Sequence, residues 1–385
     1  MNSVDLLLKL ISFKTTTPQD DGAFEFLETY LDGYEVLYHN QNGVKNIFLT
    51  KKFSDDSMHL CFAGHIDVVP AGEGWLTSPF VPMIKDGFIY GRGAQDMKGG
   101  VASFVEAVNN TKNFDGRVSI LLTSDEEGDA IHGTKIMLEH LKSKNLMPTH
   151  CVVAEPTCES VFGDAIKVGR RGSINGILEL KGKQGHAAYP EKAINPIHQI
   201  ANILNDIAGV DLDEGDEYFA PSKLVITDIR SGYEVTNVTP NSLKLMFNVR
   251  NSTKTSLEDI KIFIESKFVG MDFDLKLSQS ANPFVTNGDG LLVTKLSGAI
   301  EKYCGILPKL STAGGTSDAR FIAPYGVEVL EFGVINDTIH APNERVGVSE
   351  IEKLYSVFRE LIDTIGDKNE KNNNDICSNY ERVKC

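Results

Sequence analysis

Short apolar runs bounded by polar turns recur through the first 172 residues and alternate with segments of helical period. Residues 58–64 (MHLCFAG), 118–123 (VSILLT) and 151–154 (CVVA) have the length and composition of buried strands. Residues 97–109 (MKGGVASFVEAVN) follow the glycine-bearing turn 91–96 and read as a helix. Near the N-terminus, Val4, Leu7, Leu8 and Ile11 have the spacing of one apolar helix face. Strand and helix in alternation predict an α/β layer fold.

From 173 to 286 the order changes. A strand (174–180) leads to a helix (196–207) with Asn195 as N-cap, Pro196 in the first turn and Gly209 just past the end. Two strands follow (224–229 and 243–249), then a helix behind Ser256 (257–268) and a strand (273–277). The sequence β-α-β-β-α-β is the ferredoxin-like arrangement. After Gly288 the α/β character returns, with a strand at 327–334 and a helix at 351–365. Ser349 with Glu352 has the form of a capping box for that helix, and Gly366 ends it. The expected fold is therefore a mixed-sheet α/β domain made of 1–172 and 287–366, interrupted by an inserted domain at 173–286. Residues 367–385 (DKNEKNNNDICSNYERVKC) lack periodicity, are rich in Asn and charge, and are expected to be disordered.

Charge narrows the partners. With 38 Lys and Arg against 53 Asp and Glu, the net charge of −15 argues against nucleic acid and against an anionic membrane surface. An anionic small molecule would need a local cluster of positive side chains. No stretch approaches the roughly 20 apolar residues of a membrane span. The N-terminus carries acid and lysine among its apolar residues and lacks the pattern of a signal peptide, so residence in the cytoplasm is expected. The six cysteines include no CxxC pair and suggest no disulfide framework; Cys61 and Cys151 fall inside strand runs as small apolar residues.

The chemistry lies where the runs end. The first leads into His65-Ile66-Asp67, the second into Asp125-Glu126-Glu127, the third into Glu155-Pro156. Ligand sites of open α/β sheets lie outside the carboxyl ends of the strands. A lone His after a strand is more often a core residue than a ligand. An Asp two residues on changes that balance, because a metal-bound His usually donates its other ring N–H to a carboxylate. Adjacent Glu126 and Glu127 can divide two tasks, ligand and free base. Asp96, in GRGAQDMK, and His340, beyond the 327–334 strand, complete a set of two histidines with several carboxylates that suits a pair of zinc ions.

The motifs GHIDVVP, GRGAQDMKGG, TSDEEG and AEPT together resemble the di-zinc aminoacylase and carboxypeptidase family, over residues 1–366. The resemblance implies two Zn2+ per subunit, replaceable by Co2+ or Mn2+. Asp96 would bridge them, His65 and Glu155 would complete one position, and Glu127 and His340 the other. Asp67 would orient His65, and Glu126 would be the general base of amide hydrolysis. The inserted domain would act as a lid and dimerisation module of a homodimer. In the segment QGHAAYP, His186 would reach the partner subunit's site and polarise the substrate carbonyl.

Matching positions also suggest substrate contacts. Lys167 and Arg170 would hold anionic groups, with Gly315 and Thr316 as further binding positions and Tyr189, Asn237, Arg250 and Asn336 as additional candidates. The segments GRRGS and STAGGTSDARF favour N-succinyl-LL-2,6-diaminopimelate, cleaved to succinate and LL-2,6-diaminopimelate in lysine and cell-wall precursor synthesis. The residues after His340 (Ala-Pro-Asn-Glu) fit an N-acetylornithine deacetylase or another aminoacylase or dipeptidase of the family as readily.

Overall fold

Parallel pairing of the apolar runs organises the first of two compact units in the computed structural model, which describes residues 1–366. The tail at 367–385, expected to be disordered, lies outside the described residues. Of the described residues, the first unit comprises 1–166, 287–309 and 321–366. Its sheet includes, in spatial order, Glu35–Tyr38, Asn46–Lys52, Arg117–Thr123, His59–His65, His150–Val153 and Glu328–Glu331. The first two strands are antiparallel to each other, and Asn46–Lys52 is antiparallel to Arg117–Thr123. The next four, Arg117–Thr123 to Glu328–Glu331, are mutually parallel. Every residue of His59–His65 is buried, as parallel strands covered on both faces must be. Parallel pairing also brings the carboxyl ends of these four strands to one edge.

Helices Ser3–Ser12, Lys98–Asn109 and Val348–Ile365 pack together in this unit. Phe62 of the sheet stacks on Phe104 at 5.7 Å and meets Phe358 edge-on at 5.1 Å, joining a strand to two helices. The N-terminal helix buries Val4, Leu6, Leu7, Leu10 and Ile11, while Leu8 is only half-buried. Its Asn2 and Asp5 form a reciprocal capping box. The last helix starts at Val348, three residues before the expected start. Glu350, not Glu352, reaches back to accept from Gly347 N at 3.1 Å, so Ser349 lies inside the first turn.

The second unit comprises Lys167–Thr286 and Leu310–Arg320. Its sheet has the order Lys223–Ser231, Ser242–Arg250, Ser173–Lys181, Phe273–Ala281, antiparallel throughout. Ser173–Lys181 alternates buried and exposed positions over most of its length, so one face is packed. Ile174, Leu178, Leu245, Phe247, Ile260 and Ile264 belong to the core on that face. Ser256 caps Leu257–Lys267, with Asp259 returning the bond. The helix expected at 196–207 is two short ones, Pro196–Ala201 and Leu204–Ile207. Ile203 N bonds to Ile200 O at 2.8 Å, a tight i−3 turn, where Asn202 and β-branched neighbours favour helix weakly. Ile200, Ile203 and Ile207 still share the core.

Candidate metal centre

His65, the Glu126–Glu127 pair and Glu155 lie at or just past the ends of three parallel strands, Asp96 just before the helix Lys98–Asn109, and His340 on the loop after Glu328–Glu331. His65 is the last residue of its strand and is almost fully buried. Its Nδ1 lies 2.8 Å from Asp67 O, which fixes the proton on Nδ1 and leaves Nε2 as the ligand nitrogen. Nε2 stands 3.2 Å from Asp96 Oδ1, 3.8 Å from Glu155 Oε1 and 3.9 Å from Glu126 Oε2. His340, with a left-handed φ of 59°, places Nε2 at 2.8 Å from Glu127 Oε1 and 3.4 Å from Asp96 Oδ2. Asp96 therefore stands between two imidazoles, one carboxylate oxygen toward each.

Asp67 acts differently from the sequence expectation. It is the backbone carbonyl that bonds the ring of His65, while the carboxylate oxygen is 3.7 Å away. That carboxylate accepts from Thr17 Oγ1 at 2.7 Å and from the N–H groups of Glu126 and Glu127 at 3.3 and 3.2 Å. The side chain turns this way because three donors converge on it. Asp67 thus holds both the ring of His65 and the turn that presents the paired glutamates.

Two overlapping donor sets result. His65, Asp96 and Glu127 form one, and His65, Glu126 and Glu155 the other, each with its ligand atoms within 4.8 Å of one another. The electrostatics ask for cations. Burial pushes Glu155 well above the usual carboxylate range, and the charge of Asp96 adds to the shift. Burial also raises Asp67 to about 6, against His65 and the bonds from Thr17 and the two N–H groups. Burial alone would depress His65, but Asp96, Glu155, Glu126 and Asp67 outweigh it and raise it well above its usual value. Burial would raise Asp96, yet hydrogen bonds to His340 and His65 hold it below the usual range. Nitrogen and oxygen donors around a surplus of buried negative charge fit divalent metal ions.

Several residues that sequence reasoning passed over support this edge. Glu344 is buried and accepts from Arg92 and from the N–H groups of Gly93, Gln95 and Asp96. Lys98 is buried, donates to Leu10 O and Phe13 O at 3.0 Å each, and is pulled down to about 7 by burial. Only its position after a metal-type histidine could have singled out Glu344. Arg92, Gln95, Thr17 and Lys98 carry no local signal of burial.

The remaining candidates are placed as follows. Asn336 is exposed on the loop that leads to His340, its N–H bonded to Cys158 O at 3.1 Å. In the second unit, Lys167 and Arg170 are both buried, and both meet the returning segment that carries Gly315 and Thr316. Lys167 Nζ lies 3.4 Å from Ser311 Oγ, and Arg170 Nη1 donates to Ala313 O at 2.8 Å. His186, Tyr189 and Asn237 gather at one two-stranded antiparallel ribbon, Gly185–His186 against Val238–Thr239: Ala187 N donates to Asn237 O at 3.0 Å, and the rings of His186 and Tyr189 are 5.9 Å apart. His186 and Tyr189 are exposed, as is Arg250 at the end of its strand.

A histidine–carboxylate cluster at the carboxyl ends of parallel strands in a mixed α/β sheet is the arrangement of a candidate divalent-metal centre. Residues 61–364 match Peptidase family M20/M25/M40, and the chain belongs to that family. It is similar to the succinyl-diaminopimelate desuccinylase of Sulfurovum sp., with 66% identity over 94% of this chain and 98% of that one. The succinyl-diaminopimelate desuccinylase of Nautilia profundicola is 63% identical over 94% of this chain and 99% of its own. Among solved structures, aminopeptidase PepT from Bacillus cereus has the same fold, with a TM-score of 0.79 and 21% identity over 95% of this chain and 98% of that one.

Proposed function

We propose that this enzyme hydrolyses N-succinyl-LL-2,6-diaminopimelate to succinate and LL-2,6-diaminopimelate, a step of lysine and cell-wall precursor synthesis. The observation that carries the hydrolytic reading is the cluster of His65, Asp96, Glu126, Glu127, Glu155 and His340 at one sheet edge. The acyl group is argued from the identity of 66% to a desuccinylase and from the buried cations Lys167 and Arg170, which suit a carboxylate-bearing substrate.

His65, Asp96 and Glu155 would hold one Zn2+, and Asp96, Glu127 and His340 the other, with Co2+ or Mn2+ as substitutes. When bound, zinc supplies a Lewis acid and lowers the pKa of water toward about 7. Glu126 takes the proton of the attacking water on its carboxylate and passes it to the nitrogen of the leaving amine as the amide C–N bond breaks. Asp67 keeps His65 and Glu126 in register. The second unit, ferredoxin-like in its strand order, serves as lid and dimerisation module. His186 of the partner subunit supplies an imidazole to the substrate carbonyl, and Tyr189, Asn237, Arg250, Gly315, Thr316 and Asn336 complete the binding surface. The proposed catalytic domain is 1–172 with 287–366 and the proposed lid 173–286; by compactness, 167–172 and 310–320 group with the second unit instead. No helix of the described residues is long and apolar enough to cross a membrane, and the proposed pathway places the enzyme in the cytoplasm.

A side-by-side assay tests the substrate. Zinc-loaded protein is given N-succinyl-LL-2,6-diaminopimelate or N-acetylornithine, and primary amine release is followed. An acetyl group lacks the carboxylate that Lys167 and Arg170 would attract, so kcat/KM should favour the succinylated substrate by on the order of a hundredfold or more. Equal rates, or a preference for N-acetylornithine, would overturn the assignment of the acyl group.

A further inference from the structure

Two loops meet at the outer side of the metal centre, and one carboxylate joins them. Glu344 is 1% exposed, and both of its oxygens are engaged twice. Oε2 accepts from Arg92 Nη1 at 2.7 Å and from Gly93 N at 2.9 Å. Oε1 accepts from Gln95 N at 2.8 Å and from Asp96 N at 3.0 Å. The turn that presents Asp96 is thus held by its backbone to a residue some 250 positions away in the chain.

The same turn grips the His340 loop in return. Gln95 Oε1 accepts from Thr338 N at 2.7 Å and from Thr338 Oγ1 at 3.1 Å, and Gln95 Nε2 donates to Asp337 Oδ1 at 2.7 Å. Arg92 Nη2 donates to His340 O at 3.3 Å and to Ala71 O at 3.1 Å. The two sides of the centre are supported unequally. His65 ends a fully buried strand, whereas His340 sits on an irregular loop with about half of its side chain exposed. The position of His340 therefore depends on what fastens that loop.

We propose that Glu344, together with Arg92 and Gln95, is a positioning clamp that sets the spacing of Asp96 and His340 and so the affinity of the metal position they share with Glu127. This inference rests on the two-metal reading of the centre. It concerns metal affinity and is independent of which amide is cleaved.

The test is metal binding by the full-length chain. Metal-free wild type, Glu344→Gln and Gln95→Ala are titrated with Zn2+ against a chromophoric chelator, and with Co2+ followed by visible absorption. In Glu344→Gln the amide NH2 cannot accept from the N–H groups facing it. One ion should bind with near wild-type affinity and the other about 10- to 100-fold more weakly. The Co2+ spectrum of the second equivalent should change while that of the first does not. Gln95→Ala leaves the backbone hold of Glu344 in place and should weaken the same ion by a smaller factor; it carries the test if Glu344→Gln does not fold. Two ions bound as in wild type, or both weakened equally, would overturn the clamp. Wild type binding fewer than two ions would overturn the two-metal reading and the clamp with it.

Discussion

Glu126 and Glu127 are neighbours in the chain, and both N–H groups rest on the carboxylate of Asp67. Their side chains then part. Glu127 is bonded to His340 at 2.8 Å, while Glu126 stays 3.9 Å from Nε2 of His65, beyond hydrogen-bond reach of that ring. In the proposed function, proton transfer falls to Glu126. Glu126→Gln should keep its metal, measured by atomic emission, and lose about 10²- to 10⁴-fold in kcat. A variant that turns over at the wild-type rate would remove Glu126 from the chemistry. At this scale the residue types at the strand ends were readable in the chain, because each followed an apolar run. The hydrogen-bond direction of Asp67 was not, since it depends on Thr17, 50 positions earlier. Glu344 was hidden for the same reason: its four donors lie about 250 residues away, and no local pattern reports them.

Elements carry the site only because they approach closely. Gly100, in the helix that follows Asp96, lies against the end of the strand that leads to Glu155. A Cβ there would sit 2.2 Å from Ala154 O and 2.7 Å from Ala154 Cβ. Gly100→Ala must push the helix off the sheet, at a cost of about 1–3 kcal/mol. Thermal unfolding should drop, and the metal should be held less firmly because Asp96 and Glu155 lie on the two sides of that contact. Gly298 offers the control. It lies in Leu291–Cys304 with nothing within 4 Å of a Cβ, so Gly298→Ala should be neutral or stabilise by about 0.4–1 kcal/mol. An unchanged melting temperature in Gly100→Ala would contradict the close approach. The strands and helices read from their periods are present, most within one to three residues at their ends, though Phe273–Ala281 runs four residues past the expected 277; others, among them Asn46–Lys52, Thr134–Ser143 and Leu291–Cys304, were not read. The exceptions have local causes. The 196–207 helix breaks where an i−3 turn at Ile203 still lets its isoleucines reach the core. The last helix begins early because Glu350, rather than the Ser349 and Glu352 pair, satisfies the first free N–H.

At the scale of the whole molecule, protons and metal compete for the same charges. Without metal, hydrogen bonds to Asp96 and Glu127 push His340 up to about 10, and burial with the charge of Asp96 raises Glu155. The folded value of His340 exceeds its ordinary 6.5, so its contribution to stability is fully present below about 6.5 and is lost as pH rises through about 10. Glu155, also raised, loses its proton-linked contribution in the same direction. The metal-free chain should therefore become less stable as pH rises from about 6.5 toward 10. Metal binding requires these groups to give up their protons, so affinity climbs over the same window. Bound ligand at about 100 times Kd adds about 2.7 kcal/mol. Melting curves in chelator and with two equivalents of Zn2+, taken from about pH 6.5 to 9, should thus draw apart as pH rises. The half-exposed ring of His340 moderates the slope without changing its sign. A gap that stays constant or narrows would mean that protons and metal do not share these groups, and would separate the His340 side from the metal centre.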